Sequence, residues 1–229
     1  MTTLLHIDTS ARSFYGEGEK HSSISKMLGQ HFFAHWKNQH HHDQIIHRDL
    51  GAQPPNFVSQ KWLEAVFTPA SKRTEAHRVL LAESDQYIAE VARADIILIT
   101  TPMYNYGMPA ALKAWFDQVI RINKTFTFEL ARGDFPLEPI FSNKTLILLS
   151  SCGEFGFGEG GIREHMNHLG THIKVLSHYL GVDRFFEIRS EYQEFGDNRH
   201  EGSILSAKQK IEDLVSEITI TQSKKMLTA

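Results

Sequence analysis

Three short stretches of the chain combine residue types that bind ligands. In the first, hydroxyl side chains cluster between Thr9 and Ser25, just before a segment with helical periodicity. Backbone N–H groups at a helix N-terminus attract anions and serine hydroxyls add donors, so this stretch predicts a phosphate-binding loop. Ser22 or Ser23 could instead serve only as the N-cap of the helix. The Walker pattern G-x-x-x-x-G-K-[ST] and the dinucleotide pattern G-x-G-x-x-G are both absent from this loop.

The other two stretches each follow an apolar run. Met103 to Gly107 contains two tyrosines and an asparagine, and lies between a buried-type strand and a helix that begins after Pro109. Ser151 to Gly161 is rich in glycine, which lets backbone approach a flat ligand closely, although a flexible connector has the same composition. A phosphate loop, an aromatic loop and a glycine loop together describe a site for a phosphorylated flat ring.

The elements that position these loops follow from periodicity. Strands are predicted for five largely apolar runs, at residues 3–8, 44–50, 96–101, 144–150 and 183–188. Helical patterns alternate with them, chiefly at residues 23–35, 83–93, 110–120, 162–180 and 203–218. Runs without polar alternation are typical of strands buried on both faces. We therefore expect an α/β fold, a doubly wound five-stranded parallel sheet with helices on both faces. In a flavodoxin-like strand order the three loops lie together at the carboxyl edge of that sheet.

Two further segments carry less information. Residues 125–130 predict one arm of a short hairpin, and residues 133–139 a loop. The adjacent histidines His40, His41 and His42 invite a metal-site interpretation, but adjacent side chains do not converge easily on one ion. A solvated turn is the expected structure there, and no metal is assigned.

The length and composition of the chain are typical of a single-domain protein. We expect residues 1–222 to form a single domain and residues 223–229 a frayed tail. The net charge of −3 comes without a basic cluster, so no nucleic-acid partner is expected. No apolar run approaches the ~20 residues of a membrane span. The predicted first strand begins almost at once, which argues against a signal peptide, and the single cysteine, Cys152, fits a reducing cytoplasm.

One pattern is specific enough to indicate a family. It joins Met103-Tyr104-Asn105-Tyr106 to Pro109-Ala110-Ala111-Leu112-Lys113, Trp115-Phe116-Asp117 and Thr125-Phe126. With the first strand, the helix start at Ser23 and the loop after Leu149, it resembles the FMN-dependent NADH-azoreductase and NAD(P)H:quinone reductase family. The resemblance spans nearly the whole chain.

The resemblance implies a flavodoxin-like fold, bound FMN, and a homodimer with the flavin at the subunit interface. It places the FMN phosphate at Ser10, Ser23, Ile24 and Ser25. It places the isoalloxazine ring between Met103, Tyr104, Asn105 and Tyr106 and, on the pyrimidine side, Ser151, Cys152, Gly153 and Glu154. Phe126 is expected to bind substrate, although an ordinary packing role is open to it. No side chain is assigned as a catalytic acid or base, because the flavin supplies the chemistry.

The implied activity is the passage of two electrons from NADH or NADPH to a quinone or azo compound by a ping-pong mechanism. The alternative is a flavodoxin-type electron carrier without small-molecule turnover. Such carriers tend to be shorter and strongly acidic, unlike a chain of 229 residues with a net charge of −3. A hydrolase using Ser10 or Cys152 is a third possibility, but the G-x-S-x-G elbow is absent.

Two departures from the family pattern concern the site directly. The family usually has Ser-Arg-Gly-Gly in the last loop, whereas this chain has Ser151-Cys152-Gly153-Glu154. The first loop is also several residues longer than usual. These differences bear on the phosphate contacts and on how negative charge at the ring is stabilised.

Overall fold

The computed structural model describes residues 1–17 and 19–227, with side chains described up to residue 221. Seven strands occur in this part of the chain: β1 Thr3–Asp8, β2 Gln44–Asp49, β3 Ile96–Pro102, β4 Phe126–Phe128, β5 Leu137–Pro139, β6 Lys144–Ser151 and β7 Val182–Ser190. The α-helices are α1 Ile24–Gln39, α2 Gln60–Phe67, α3 Glu75–Arg93, α4 Ala110–Val119, α5 Gly170–Ser177 and α6 Asn198–Leu227. Short 3-10 turns occur at Ala70–Lys72, Leu130–Arg132, Glu164–Met166 and His178–Leu180.

Five of the strands form one parallel sheet in the order β2-β1-β3-β6-β7. Successive residues of a strand face opposite sides, so Leu4 and Leu5 of β1 belong to different core layers. One layer packs the sheet against α3, α4 and α5, and includes Trp115. The other packs it against α1 and α6, and includes Trp36. The predicted doubly wound α/β fold is therefore confirmed.

The strand order places the site. The chain reverses its direction of winding between β1 and β3, so the loops after these two strands diverge to opposite faces of the sheet. The loop after β6 joins them, because β6 pairs with β3 from Ile96↔Thr145 to Pro102↔Ser151. All three ligand-type loops of the sequence thus meet at the carboxyl edge.

Four predicted elements need correction. Residues 137–139 are not loop but strand β5, which pairs with β4 in antiparallel register. The helix predicted from residue 162 begins only at Gly170, whose N–H donates to Asn167 Oδ1 at 3.0 Å. Helix α3 begins at Glu75 rather than at residue 83, because Thr74 caps it by accepting from the His77 N–H. Helix α6 extends beyond the predicted 203–218 at both ends; residues 228 and 229 of the expected frayed tail lie outside the described residues.

No helix in the described part of the chain is both long and apolar enough to cross a membrane.

Candidate cofactor-binding site

A small cavity of about 100 Å³ lies at the carboxyl ends of β1, β3 and β6. Residues expected from the sequence to bind cofactor line much of it, namely Ser10, Ser23, Ile24, Met103, Tyr104, Ser151 and Gly153. Its other lining residues are Arg12, Ser22, Pro102, Gln193 and Glu194. Open sheets of this kind bind ligands at this position, outside the carboxyl ends of the strands at the switch point.

The hydroxyl-rich loop forms one wall of the cavity. Ser23 is the N-cap of α1, and its Oγ accepts from the Lys26 N–H at 3.3 Å. Ser25 is fully buried with its Oγ 3.3 Å from Ser23 Oγ, so it supports Ser23 and does not line the cavity. Ser10 accepts from the Arg12 N–H at 3.1 Å. The first-turn amides of α1, the serine hydroxyls and a guanidinium together form a site suited to a phosphate group.

The aromatic loop is a tight reverse turn. Tyr104 and Gly107 exchange two backbone hydrogen bonds of 3.0 Å. The two residues between them, Asn105 and Tyr106, have φ of 47° and 65°. Positive φ at both central residues is the signature of a type I′ turn. Met103 and Tyr104 consequently face the cavity, while Asn105 and Tyr106 form the tip of the turn and do not line it.

The loop after β6 is fixed by its backbone. The Cys152 N–H donates to the Ser190 carbonyl at 2.8 Å, and the Cys152 carbonyl accepts from Gln193 at 3.1 Å. The Cys152 side chain is only 1% exposed and does not line the cavity. Burial raises the pKa of its thiol to about 12, which keeps it neutral and unsuited to nucleophilic attack. Among the described residues, the backbone N–H groups of Gly153 and Glu154 have no protein acceptor.

Glu154 connects the glycine loop to the aromatic turn. Its Oε2 accepts from the Tyr106 hydroxyl at 3.1 Å, and its Oε1 lies 3.0 Å from Arg163 Nη2. This hydrogen bond to a carboxylate raises the pKa of the Tyr106 phenol. Arg163 also donates to the Phe155 carbonyl at 3.1 Å and lies over the Phe155 ring. The side chain of Glu154 is therefore engaged by protein groups and does not line the cavity.

Sequence reasoning missed several residues at this cavity. Arg12 and Ser22 belong to the hydroxyl-rich stretch, and their types alone were signals for an anion site. Gln193 and Glu194 follow β7 and carry no local signal. They reach the cavity because Glu194 N–H donates to the Gly153 carbonyl at 3.0 Å. A Cβ at Gly153 would lie 2.6 Å from Glu194 Cγ, so the two residues are in close contact.

Phe126 lies elsewhere. It packs edge-on against Tyr179, with ring centroids 5.7 Å apart, and lines an apolar groove of about 630 Å³ between α2, the end of α4 and the β4–β5 hairpin. It does not line the cofactor cavity.

Comparison with known proteins identifies the family. Residues 2–215 match a family described as having a flavodoxin-like fold. A relative from Colwellia psychrerythraea named FMN-dependent NADH:quinone oxidoreductase 2 is 59% identical over 218 residues, which are 95% of this chain and 100% of the relative. The chain belongs to the FMN-dependent quinone oxidoreductase family. A second relative of the same name, from Idiomarina loihiensis, is 54% identical over 227 residues, 99% of this chain and 95% of the relative. The predicted resemblance is thus confirmed.

Solved structures support the fold of this family member. An FMN-dependent NADH-azoreductase from Bacillus anthracis, solved in complex with FMN, superposes with a TM-score of 0.81 at 15% identity, covering 96% of this chain and 100% of that chain. Another azoreductase from Bacillus anthracis superposes with a TM-score of 0.80 at 18% identity, over 95% and 100% of the two chains. At these identities the likeness shows the flavodoxin-like fold alone.

The residues of this chain fit FMN in chemistry. The serine hydroxyls, Arg12 and the N-terminus of α1 suit its phosphate, and Met103 with Tyr104 offers apolar surface to a flat ring. The N–H groups of Gly153 and Glu154, without acceptors in the described chain, are available donors. The volume of about 100 Å³ is below the roughly 300 Å³ of most ligand sites, so a ring would extend out of the cavity or displace Gln193 and Glu194.

Proposed function

We propose that this protein is an FMN-dependent oxidoreductase that passes two electrons from NADH or NADPH to quinones or azo compounds. The observation that carries the proposal is the single cavity in which loops after β1, β3 and β6 bring a phosphate site, an aromatic turn and a glycine loop together. The relatives named FMN-dependent NADH:quinone oxidoreductase align over nearly the whole chain, which supports the same chemistry here.

The residues at the start of α1 and in the loop before it would bind the phosphate of FMN. Ser10 and Ser23, with Arg12 and the amides of Ile24 and Ser25 at the start of α1, would hold the phosphate of FMN. Ser25 contributes through its contact with Ser23 Oγ, since its side chain is buried.

Two loops would hold the ring. Met103 and Tyr104 would contact one part of it, and Ser151 with Gly153 the pyrimidine side. Asn105 and Tyr106 would shape the turn, and the backbone of Cys152 would fix the glycine loop through its bonds to Ser190 and Gln193. When bound, FMN accepts a hydride from the nicotinamide and returns two electrons to the acceptor. The protein's own contribution is fixed donors, which stabilise negative charge without reorganising.

The working unit is proposed to be a homodimer. Phe126 and Phe128 belong to the apolar groove, in which Leu63, Phe67 and Phe128 are 45%, 71% and 46% exposed. Contiguous apolar patches of this kind mark interaction surfaces. A second subunit would also cover a ring that extends beyond the small cavity. Phe126, which lies in the groove and not in its own subunit's cavity, would then face substrate at the cavity of the other subunit.

The homodimer has a simple test. Phe128→Ser should weaken self-association measured by sedimentation at micromolar concentration, whereas Ile220→Ser, exposed on α6, should not. A wild-type protein that sediments only as a 26.2 kDa monomer would refute this assembly.

The proposed location is the cytoplasm. The single cysteine is free and buried, as expected in a compartment where disulfides do not form.

Two measurements test the activity. The purified protein should carry or take up FMN and show a flavin absorbance spectrum. It should also catalyse the reduction of a quinone, with NADH oxidised in the process. Initial rates should give parallel double-reciprocal lines, because donor and acceptor occupy one site in turn. Failure to bind FMN in an equilibrium titration would refute the proposal. FMN binding without NADH:quinone turnover would instead indicate an electron carrier.

A further inference from the structure

A second polar cluster lies under α1, on the sheet face away from α3 and α4. His6 and Asp8 are alternate residues of β1, and His47 of β2 lies directly opposite His6 in the register. Asp8 Oδ1 lies 3.3 Å from His6 Nε2, and Asp8 Oδ2 lies 2.8 Å from His47 Nε2. The three potential metal-ligand atoms of this cluster, one from each residue, lie within 4.8 Å of one another. None of these side chains lines the cofactor cavity.

These separations are close to those of ligands on one metal ion. Zinc lies about 2.0–2.1 Å from imidazole nitrogen and carboxylate oxygen, so ligands at tetrahedral angles are roughly 3.3 Å apart. The His6–Asp8 contact of 3.3 Å matches this value, and the His47–Asp8 contact of 2.8 Å is shorter than it. The imidazole rings are stacked with centroids 4.8 Å apart, so both must turn toward a shared ion.

Neighbouring residues support such a site. The Thr100 hydroxyl donates to Asp8 Oδ1, which orients the carboxylate as second-sphere groups do around metals. Gly29 of α1 leaves space beside His6, because a Cβ there would lie 3.2 Å from His6 Nε2. Lys26, which lines the cavity beside this cluster, is paired with Asp49 at 2.6 Å. The Asp8 carboxylate therefore supplies the negative charge of this set of ligands.

The cluster also has an entrance. His6, Asp8 and His47 line a cavity of about 580 Å³ between α1, β1 and β2. The His47 side chain is half exposed, whereas those of His6 and Asp8 are nearly buried. Three protein ligands beside an open cavity leave a coordination position for water or a small anion, as in zinc sites that are not purely structural.

We propose that His6, Asp8 and His47 form a binding site for a divalent transition-metal ion, with Zn²⁺ as the reference cation. Imidazole ligands favour zinc and its transition-metal neighbours, whereas Mg²⁺ and Ca²⁺ prefer sets made of oxygen alone. The site is separate from the proposed cofactor cavity, although Asp8 is followed closely by Ser10, which lines that cavity.

A second histidine pair must be controlled for. His31 and His35 of α1 both direct Nε2 at Glu212 Oε1 of α6, at 3.0 and 3.5 Å. Replacing both histidines, in a His31→Gln/His35→Gln background, removes this second candidate and isolates the proposed site.

The test is calorimetric titration of Zn²⁺ into FMN-loaded, tag-free protein in that background, after removal of metals with a chelator. We expect one ion per chain with micromolar or tighter affinity. His47→Gln should weaken binding at least tenfold, and Thr100→Val by roughly 10–100-fold, because the carboxylate loses its orienting donor. Thr101→Val is the matched control, since its hydroxyl contacts Thr9 Oγ1 and not Asp8, and should leave affinity unchanged.

Circular dichroism confirms that each variant is folded, and Thr100→Val carries the test if His47→Gln is not. Absence of zinc binding below millimolar concentration would overturn the site. The site would also be overturned if His47→Gln and Thr100→Val bound zinc as strongly as the His31→Gln/His35→Gln background, because the ion would then be held elsewhere.

Discussion

The buried thiol of Cys152 gives a prediction that separates two accounts of the glycine loop. Cys152 follows β6 within the loop proposed to meet the flavin, but its side chain is 1% exposed and its pKa is raised by burial to about 12, from an ordinary value of 9.0. At pH 8 the thiolate fraction is then about one in ten thousand, compared with roughly one in ten for an ordinary thiol. Since only the thiolate attacks, ionisation alone slows alkylation by about a thousandfold.

The assay is the rate of thiol labelling in the native, FMN-loaded protein compared with the same protein in denaturant. Labelling within tenfold of the unfolded rate would refute both the burial and the raised pKa. Cys152→Ser should keep FMN affinity and flavin reduction near wild-type values, because the thiol does not line the cavity and the backbone of this residue is bonded to Ser190 and Gln193. A Cys152→Ser variant that binds FMN but is inactive would restore a chemical role for the thiol.

The same shift predicts a pH dependence of stability. A thiol with a raised pKa in the folded state holds its proton more tightly there than in the unfolded chain. Its contribution to stability is complete below the unfolded pKa of about 9 and is lost as pH rises toward about 12. The loss approaches 1.4 kcal/mol per pH unit within that window. Denaturant titrations at pH 8 and pH 10 should show a larger loss for wild type than for Cys152→Ser.

Substitutions at three further positions test the loops around the cavity. Asn105→Ala should cost about 1 kcal/mol in denaturant titrations, because φ is 47°, whereas Asn105→Gly should be neutral or stabilising. Gly153→Val should slow flavin reduction in stopped-flow measurements more than it lowers FMN affinity, because a Cβ would meet Glu194 Cγ at 2.6 Å and hold the backbone away from the ring. An equal loss in both quantities would contradict that reasoning. Glu154→Gln should raise the flavin midpoint potential, because Arg163 would keep its charge without the carboxylate now 3.0 Å away; an unchanged or lower potential would show that this charge does not reach the ring.

The sheet and its loops were predictable because their signals are local and strong. The runs at Ile96 and Lys144 lack polar alternation, which identifies strands buried between two helix layers. Once five such strands are placed in a doubly wound order, geometry alone brings the loops that follow them to one edge. The N-cap at Ser23 was readable for the same reason, since capping depends on a residue and its near neighbours.

The errors occur where long-range contacts decide. Residues 162–169 carry a helical pattern, but Arg163 N–H donates to the Gly156 carbonyl and Gly156 has a φ of 79°, so the chain turns instead. Strand β5 has only three residues and is specified by its partner β4 rather than by its own sequence. Glu194 reaches the cavity only through its pairing with Gly153. No pattern within these segments contains that information.

The altered glycine loop shows how a departure from a family pattern is compensated elsewhere in the chain. The usual Ser-Arg-Gly-Gly carries a cation in the loop, whereas here the second position is the buried Cys152 and the fourth is the acid Glu154. An unpaired acid at this position would oppose negative charge on a reduced ring. Arg163 pairs with it at 3.0 Å, and Tyr106 donates to its other oxygen at 3.1 Å. The ion pair joins the two loops, and in the proposed FMN site the backbone donors at Gly153 and Glu154 would stabilise the charge on the ring.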